Sequence, residues 1–127
     1  MTDVFKKHFT PIEARKRLPL VKQIVEDILH KGQRLRQLIQ DAPAGTGLSE
    51  GGLDLQSQIK DHLQELEDLG CYYKDWTFDI GLVDFPAFIG GQPVYLCWRS
   101  DEDDIRYFHS VNETYNSRKA IPDHLLN

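Results

Sequence analysis

Residues 81–99 read GLVDFPAFIGGQPVYLCWR, and the spacing of the apolar residues in this stretch decides the fold. On both sides of Gly90-Gly91, apolar side chains recur at every second position, which predicts two antiparallel strands joined by a tight turn. With the turn at these glycines, Asp84 lies directly opposite Cys97, and their Cβ atoms are expected within about 5.5 Å of each other.

The predicted hairpin has two faces of different character. The apolar face is expected to meet the core, and it carries Val83, Phe85, Ala87, Ile89, Val94, Leu96 and Trp98. The second face carries Leu82, Asp84, Pro86, Phe88, Pro93, Tyr95, Cys97 and Arg99. Antiparallel sheets commonly expose one face, so the second face is predicted to be the wetter one, with Arg99 paired to Asp84, unless it forms a binding surface. Pro86 predicts an edge position or a bulge, because proline has no N–H to donate.

The same alternation continues in residues 72–78 and 105–109, so we expect a sheet of three or four strands. Residues 100–104, SDEDD, connect the last two strands. A five-residue loop there places His109 opposite Tyr95 on the second face, whereas a four-residue loop places His109 in the core. Burial of an unpaired histidine is costly, and we therefore expect the five-residue loop.

The N-terminal half of the chain predicts helices. Residues 10–13, TPIE, form a capping box with proline at the first helical position. An apolar stripe at helical spacing follows, carried by Val21, Ile24, Val25, Ile28, Leu29, Leu35, Leu38 and Ile39. Pro19 predicts a kink, or a break between a short helix at residues 11–17 and a long one that ends near Gln40.

A second helix is predicted from about Leu53 to Leu69, and Gly70 follows it where a left-handed C-cap belongs. The connection between the two helices is rich in helix-breaking residues and is expected to span roughly a dozen positions. These breakers are Pro43, Gly45, Gly47, Gly51 and Gly52.

These elements combine into one α+β domain over residues 1–127. An antiparallel helical hairpin at about residues 10–70 is expected to pack on a small antiparallel sheet at about residues 72–110, as a two-layer structure. The tail, residues 111–127, has weak signals and is expected either to wrap the domain or to fray.

Composition and charge limit the classes of function. The chain has 127 residues, 40% hydrophobic and 28% charged, with a net charge of −5, which excludes a strongly basic nucleic-acid-binding surface over the whole chain. Residues 1–40 hold nine Lys and Arg against four Asp and Glu, whereas residues 41–127 hold six against sixteen. A basic helix beside an acidic one explains this asymmetry.

The expected location is the cytoplasm. The sequence shows no stretch long and apolar enough for a membrane span, and MTDVFKKHFTP at the start contains no signal-peptide core. In a reducing compartment, Cys71 and Cys97 are expected to remain thiols.

The second face of the predicted sheet holds the candidate site. Asp84, Cys97 and His109 are competent ligands for zinc or another divalent metal, and three protein ligands plus water is a catalytic arrangement. A Cys97–His109 pair is alternatively an activated thiolate. Tyr95 and Arg99 complete the candidate binding residues, with Arg99 as an anion contact. The sequence contains no CxxC, HExxH or GxSxG motif.

Several strings resemble a family called domain of unknown function 2203. They are FTPIEA at residues 9–14, LPL at 18–20, GLVDFPA at 81–87 and LCWR at 96–99, and the resemblance extends from about residue 9 to residue 121. Family members usually carry tryptophan before the histidine and a glycine-containing turn before the arginine that corresponds to Arg118, where this chain has Phe108 and residues 114–117. The resemblance implies a small bacterial protein of the cytoplasm and supplies no activity.

Three functions follow from these observations. The first is a non-enzymatic protein that binds a partner or a second copy of itself, because the first helix would run about 40 Å and five-residue strands cover about 17 Å. The second is a metal- or thiol-dependent enzyme that uses Asp84, Cys97 and His109. The third, nucleic-acid binding through the basic N-terminal helix, is the weakest because the chain is acidic.

Overall fold

Two helices lie on one face of a five-stranded antiparallel sheet in the computed structural model, which describes Phe5 and residues 7–127. The elements are α1 (Pro11–Asp41), α2 (Glu50–Leu69), β1 (Tyr72–Tyr73), β2 (Leu82–Ile89), β3 (Gln92–Arg99), β4 (Tyr107–Ser110) and β5 (Lys119–Ala120). The strands follow chain order across the sheet. The predicted α+β class is confirmed, but the count of three or four strands is wrong, because two two-residue strands extend the sheet at its edges.

Helix α1 begins at the predicted capping box. Thr10 Oγ1 accepts a hydrogen bond from Glu13 N at 3.1 Å, and Glu13 Oε1 accepts one from Thr10 N at 2.8 Å. The predicted break is wrong, because α1 continues through Pro19 to Asp41. Pro19 lies on the exposed side of the helix, where water can bond the carbonyl that a proline leaves without a donor.

Helix α2 begins earlier than predicted. Ser49 is the N-cap, and its Oγ accepts a hydrogen bond from Gly52 N at 3.1 Å, so Gly51 and Gly52 lie in the first turn. The connection between the helices is therefore residues 42–49 rather than a dozen residues. Gly70 ends the helix as predicted, with a φ of 103° that favours glycine.

The central hairpin has the predicted register. Asp84 pairs with Cys97 across β2 and β3, and Tyr95 pairs with His109 across β3 and β4, as a five-residue loop requires. Pro86 occupies an edge position, because β1 pairs only with Val83 and Asp84. Beyond β1 the N-terminal segment borders β2, and Phe9 N donates a hydrogen bond to Pro86 O at 2.8 Å. The carbonyl of Pro86 points away from β3, so its missing N–H removes no bond from the hairpin.

The predicted strand at residues 72–78 ends after Tyr73. Asp75 accepts hydrogen bonds from the backbone N–H and the hydroxyl of Thr77, which turns the chain away from β2. Phe78 then adopts a φ of 62°, and its ring packs against Gly32 of α1. Long-range bonds hold this loop against the helix, since Gln33 Nε2 donates to Phe78 O at 2.8 Å.

The core lies between the helices and the predicted apolar face of the sheet. From α1 it includes Ala14, Leu18, Val21, Ile24, Val25 and Ile28. From β2 and β3 it includes Val83, Phe85, Ala87, Val94, Leu96 and Trp98. The indole of Trp98 is buried, and its Nε1 donates a hydrogen bond to Glu102 O at 2.9 Å.

The tail wraps the sheet rather than fraying. Its β5 pairs with β4, and Ile121 is buried in the core. The basic helix α1 and the acidic helix α2, both described in full, form no ion pair with each other. Arg15 of α1 instead donates to Ile105 O at 2.9 Å and pairs with Asp104 at 3.4 Å. No helix in the described part of the chain is long and apolar enough to cross a membrane.

Candidate metal centre

Three neighbouring strands each contribute one potential metal ligand to a single point on the second face of the sheet. Asp84 comes from β2, Cys97 from β3 and His109 from β4. One ligand atom of each residue lies within 4.8 Å of the others. The relative exposures of the residues are 5%, 1% and 3%, so the cluster is buried. The face that was predicted to be the wetter one is therefore covered at its centre.

The imidazole of His109 is oriented by a backbone carbonyl. Its Nδ1 lies 2.8 Å from Ser110 O, which can only accept a hydrogen bond, so Nδ1 carries a proton. Its Nε2 lies 3.3 Å from both carboxylate oxygens of Asp84. A neutral imidazole in this tautomer turns a lone pair toward the carboxylate, and the contact then needs a proton or a cation between the two groups.

Burial dominates the electrostatics of the other two ligands. Desolvation raises the pKa of Asp84, and the nearby His109 and Lys74 oppose that change. Desolvation, with the charge of Asp84 beside it, raises the pKa of the Cys97 thiol to about 12. An activated thiolate needs a lowered pKa, so this environment disfavours the thiol-nucleophile hypothesis. A coordinated metal is different, because a bound cation displaces the thiol proton outright.

A cavity of about 380 Å³ opens above the three ligands. Its lining includes Asp84, Cys97 and His109 together with Lys74, Leu82, Tyr95, Val111, Glu113, Thr114 and Tyr115. Tyr95 packs beside the cluster, with its ring centroid 5.7 Å from that of His109. Four of the five predicted binding residues thus line one cavity.

Arg99 is the predicted site residue that lies apart from the cluster. Its Nε donates to Asp101 Oδ1 at 2.5 Å and its Nη1 donates to the hydroxyl of Tyr115. The predicted Arg99–Asp84 pair is wrong, because His109 occupies the carboxylate and the polar loop after β3 supplies Arg99 with a closer partner.

Sequence reasoning missed the side chains that hold the tail over the site. The guanidinium of Arg118 lies 4.4 Å from the ring centroids of both Tyr107 and Tyr115. Its Nη1 donates to both carboxylate oxygens of Glu102, at 2.9 and 3.1 Å. The position of Arg118 after the last predicted strand was the available signal, but no local pattern indicates which residues it contacts.

The comparison with known proteins identifies a family. Residues 7–121 match the family described as uncharacterized conserved protein, DUF2203, and the chain belongs to this family. The resemblance carried by the GLVDFPA and LCWR strings is thereby confirmed. No curated protein and no solved structure matches the chain.

Proposed function

We propose that the protein binds one divalent transition metal, preferably zinc, through Asp84, Cys97 and His109. The observation that carries this proposal is the convergence of three buried ligand atoms within 4.8 Å. A tetrahedral zinc with Zn–N and Zn–O bonds near 2.0–2.1 Å has a ligand-to-ligand edge of about 3.3 Å. The His109 Nε2 to Asp84 distance is 3.3 Å, and Cys97 Sγ lies within 4.8 Å of these two ligand atoms.

The surroundings of His109 support the same proposal. Metal-bound histidines usually donate their second ring N–H to a carbonyl or a carboxylate, which fixes the tautomer that presents a lone pair to the metal. The contact of Nδ1 with Ser110 O supplies that bond. One sulfur, one nitrogen and one oxygen ligand form a set that suits zinc better than calcium or magnesium.

Three protein ligands leave the fourth position to the cavity. A metal there acts as a Lewis acid and lowers the pKa of a bound water. The protein would hold a small molecule in the cavity above the metal, where Tyr95 and Tyr115 form part of the wall. The proposed class is therefore a metal-dependent protein with a small-molecule site, either an enzyme or a sensor of its ligand.

A metal titration tests the proposal. Protein freed of metal by a chelator should bind about one equivalent of Zn²⁺ in competition with a chromophoric chelator. Cobalt in the same site should show a sulfur-to-metal charge-transfer band, because Cys97 is a ligand. Cys97→Ala and His109→Ala should each weaken zinc binding by at least about 100-fold, since losing a ligand costs more than losing an outer partner.

Cys71 provides the matched control. It is a buried thiol like Cys97, but its Sγ donates a hydrogen bond to Leu66 O, and it belongs to the hydrophobic core and not to the ligand cluster. Cys71→Ala should bind zinc as the unmodified chain does. Stoichiometric binding that survives Cys97→Ala, or no binding by the unmodified chain, contradicts the proposed metal centre.

We propose as a second candidate function that the protein self-associates through the end of its helical hairpin. Helix α1 has 31 residues and so runs about 46 Å, whereas the eight-residue strands run about 27 Å. The buried residues of α1 end at Gly32, and Ile39 and Leu53 are each 54% exposed. A second copy of the chain is the simplest partner that buries this excess apolar surface.

The oligomeric state tests the second candidate. Sedimentation at micromolar concentration should show a dimer, and Ile39→Glu combined with Leu53→Glu should convert it to a monomer. Ile12→Glu, a change of the same kind at the opposite end of α1, should leave the dimer intact. A strictly monomeric chain at these concentrations contradicts self-association.

The cytoplasm is the cellular location that we propose. Both cysteines are free thiols buried in the structure, and a reducing compartment keeps such thiols in that state.

A further inference from the structure

We infer that the cavity above the metal centre takes a small organic acid, whose carboxylate lies between the metal and Lys74 and whose apolar body lies against the cavity wall. This inference rests on the proposed metal site and adds the chemical class of its ligand. Lys74 is the residue that indicates the chemical class of the ligand.

The backbone places Lys74 on the same face of the sheet as the cluster. Lys74 N donates a hydrogen bond to Leu82 O at 2.8 Å, which continues the pairing of β1 with β2 by one residue. Since side chains alternate along a strand, Lys74 shares its face with Tyr72, and Tyr72 pairs with Asp84. The Lys74 side chain therefore extends over the cavity that Asp84 lines.

The ammonium group of Lys74 lies at the cavity and has no hydrogen-bonding partner among the described residues, Phe5 and 7–127. Its Nζ lies 5.7 Å from the ring centroid of Tyr95, a distance at which a cation is attracted to the face of an aromatic ring. Among the residues that the structure describes, no carboxylate pairs with this ammonium, whereas Arg15, Arg99, Arg106 and Arg118 each have one. The three N–H donors of Lys74 are therefore available to a ligand.

Lys74 and the metal together favour an anionic ligand. A divalent metal bound by the Asp84 carboxylate and a Cys97 thiolate forms a centre with no net charge. Lys74 adds one positive charge at the cavity wall, and Glu113 adds one negative charge where its Oε1 accepts a hydrogen bond from Ser110 N at 3.4 Å. The net charge of the lining therefore selects no ligand, and the selection comes from the two groups that the ligand contacts. A carboxylate can bond the metal and accept a charge-assisted hydrogen bond from Lys74 at the same time, which a neutral ligand does less well.

The rest of the cavity wall is mixed, with apolar groups forming the larger share, and the space is small. Leu82, Val111 and the rings of Tyr95 and Tyr115 lie there beside the polar Glu113 and Thr114. The volume of about 380 Å³ corresponds to roughly a dozen water molecules at about 30 Å³ each, which suits a molecule the size of an aromatic or branched aliphatic acid. An organic acid with a hydrocarbon body combines a carboxylate for the metal and Lys74 with an apolar part for Leu82 and Val111.

Spectroscopy of the cobalt-loaded protein tests this inference with benzoate as the probe. Benzoate should change the visible absorption of cobalt in a saturable way, because the carboxylate enters the fourth position. Benzamide, which has the same shape and no charge, should bind at least about tenfold more weakly. Lys74→Gln should weaken benzoate binding about tenfold, the loss typical of one charge-assisted hydrogen bond. Lys74→Arg should retain most of the affinity.

The readouts separate the ligand from the metal. Lys74→Gln should bind cobalt as tightly as the unmodified chain, because Lys74 is not a ligand. Equal binding of benzoate and benzamide, or benzoate binding that Lys74→Gln does not change, overturns the inference and leaves the metal site standing. A chain that binds no cobalt overturns the proposed metal site and this inference with it.

Discussion

Replacement of Gly32 by alanine is expected to lower the free energy of unfolding by about 1–3 kcal/mol, the usual cost of forcing an added group into a packed site. A Cβ atom at position 32 would lie 2.2 Å from Cγ of Phe78 and 2.4 Å from its Cδ1. The absent side chain of Gly32 leaves a notch in α1 that the Phe78 ring fills. The alanine would force the ring out of this notch, and the loop that Phe78 anchors would move with it. Denaturant unfolding followed by circular dichroism measures the change.

The sign of this effect is what makes the measurement informative. In a helix interior, glycine to alanine normally stabilises by about 0.5–1 kcal/mol. Gly51→Ala is the matched control, because a Cβ there meets only Ser49 Oγ, at 3.9 Å, and it should stabilise the protein. In a Phe78→Ala background, Gly32→Ala should also become neutral or stabilising. A stabilising Gly32→Ala in the unmodified chain would mean that Phe78 does not occupy the notch.

The notch also shows which parts of the fold local sequence could not reveal. The hairpin register follows from alternation on both sides of Gly90-Gly91, because a slip of one residue would move every side chain to the wrong face. Phe78 belongs to an apparently regular strand pattern, and its departure from that pattern depends on a glycine 46 positions earlier in the chain. Contacts of this length leave no local periodicity.

The candidate site, like the fold, could be predicted only in part. Asp84, Cys97 and His109 could be brought together from register alone, since each lies on a strand whose pairing the turns determine. Their burial could not, because it depends on the tail. The aromatic rings that hold Arg118 come from β4 and from the turn after it, and neither shows a recognisable spacing. The open face therefore looked solvated in the sequence and is covered in the structure.

Because Asp84 and His109 are buried on the covered face of the sheet, loss of one of them should strongly destabilise the metal-free protein. His109→Leu is expected to lower the free energy of unfolding at neutral pH by about 3–5 kcal/mol, the usual cost of leaving one charge of a buried pair without its partner. The side chains of Asp84 and His109 are only 7% and 4% exposed, so water replaces the lost contact poorly. Unfolding in the presence of a chelator measures the loss, and circular dichroism checks that the variant is folded beforehand.

The stability lost in His109→Leu should depend on pH, because it arises from the buried carboxylate of Asp84. Burial raises the pKa of Asp84, so the folded protein takes up this proton at a higher pH than the unfolded chain, and the cost of the buried carboxylate is present above the folded pKa. Loss of His109 removes an interaction that opposes this rise. The deficit of His109→Leu relative to the unmodified chain should therefore shrink as the pH falls through the folded pKa of Asp84. It should reappear when the pH is raised again.

A double variant separates the charge from the packing. Asp84→Leu combined with His109→Leu removes both members of the pair, and replacing a buried pair by apolar residues of similar volume is often neutral or stabilising. The double variant should therefore be more stable than His109→Leu alone and should not share its pH dependence. If the two variants lose equal stability at every pH, the His109 contribution comes from its volume. If the double variant is at least as stable as the unmodified chain, the pair does not serve stability and a role in binding explains it better. The double variant should then no longer bind zinc.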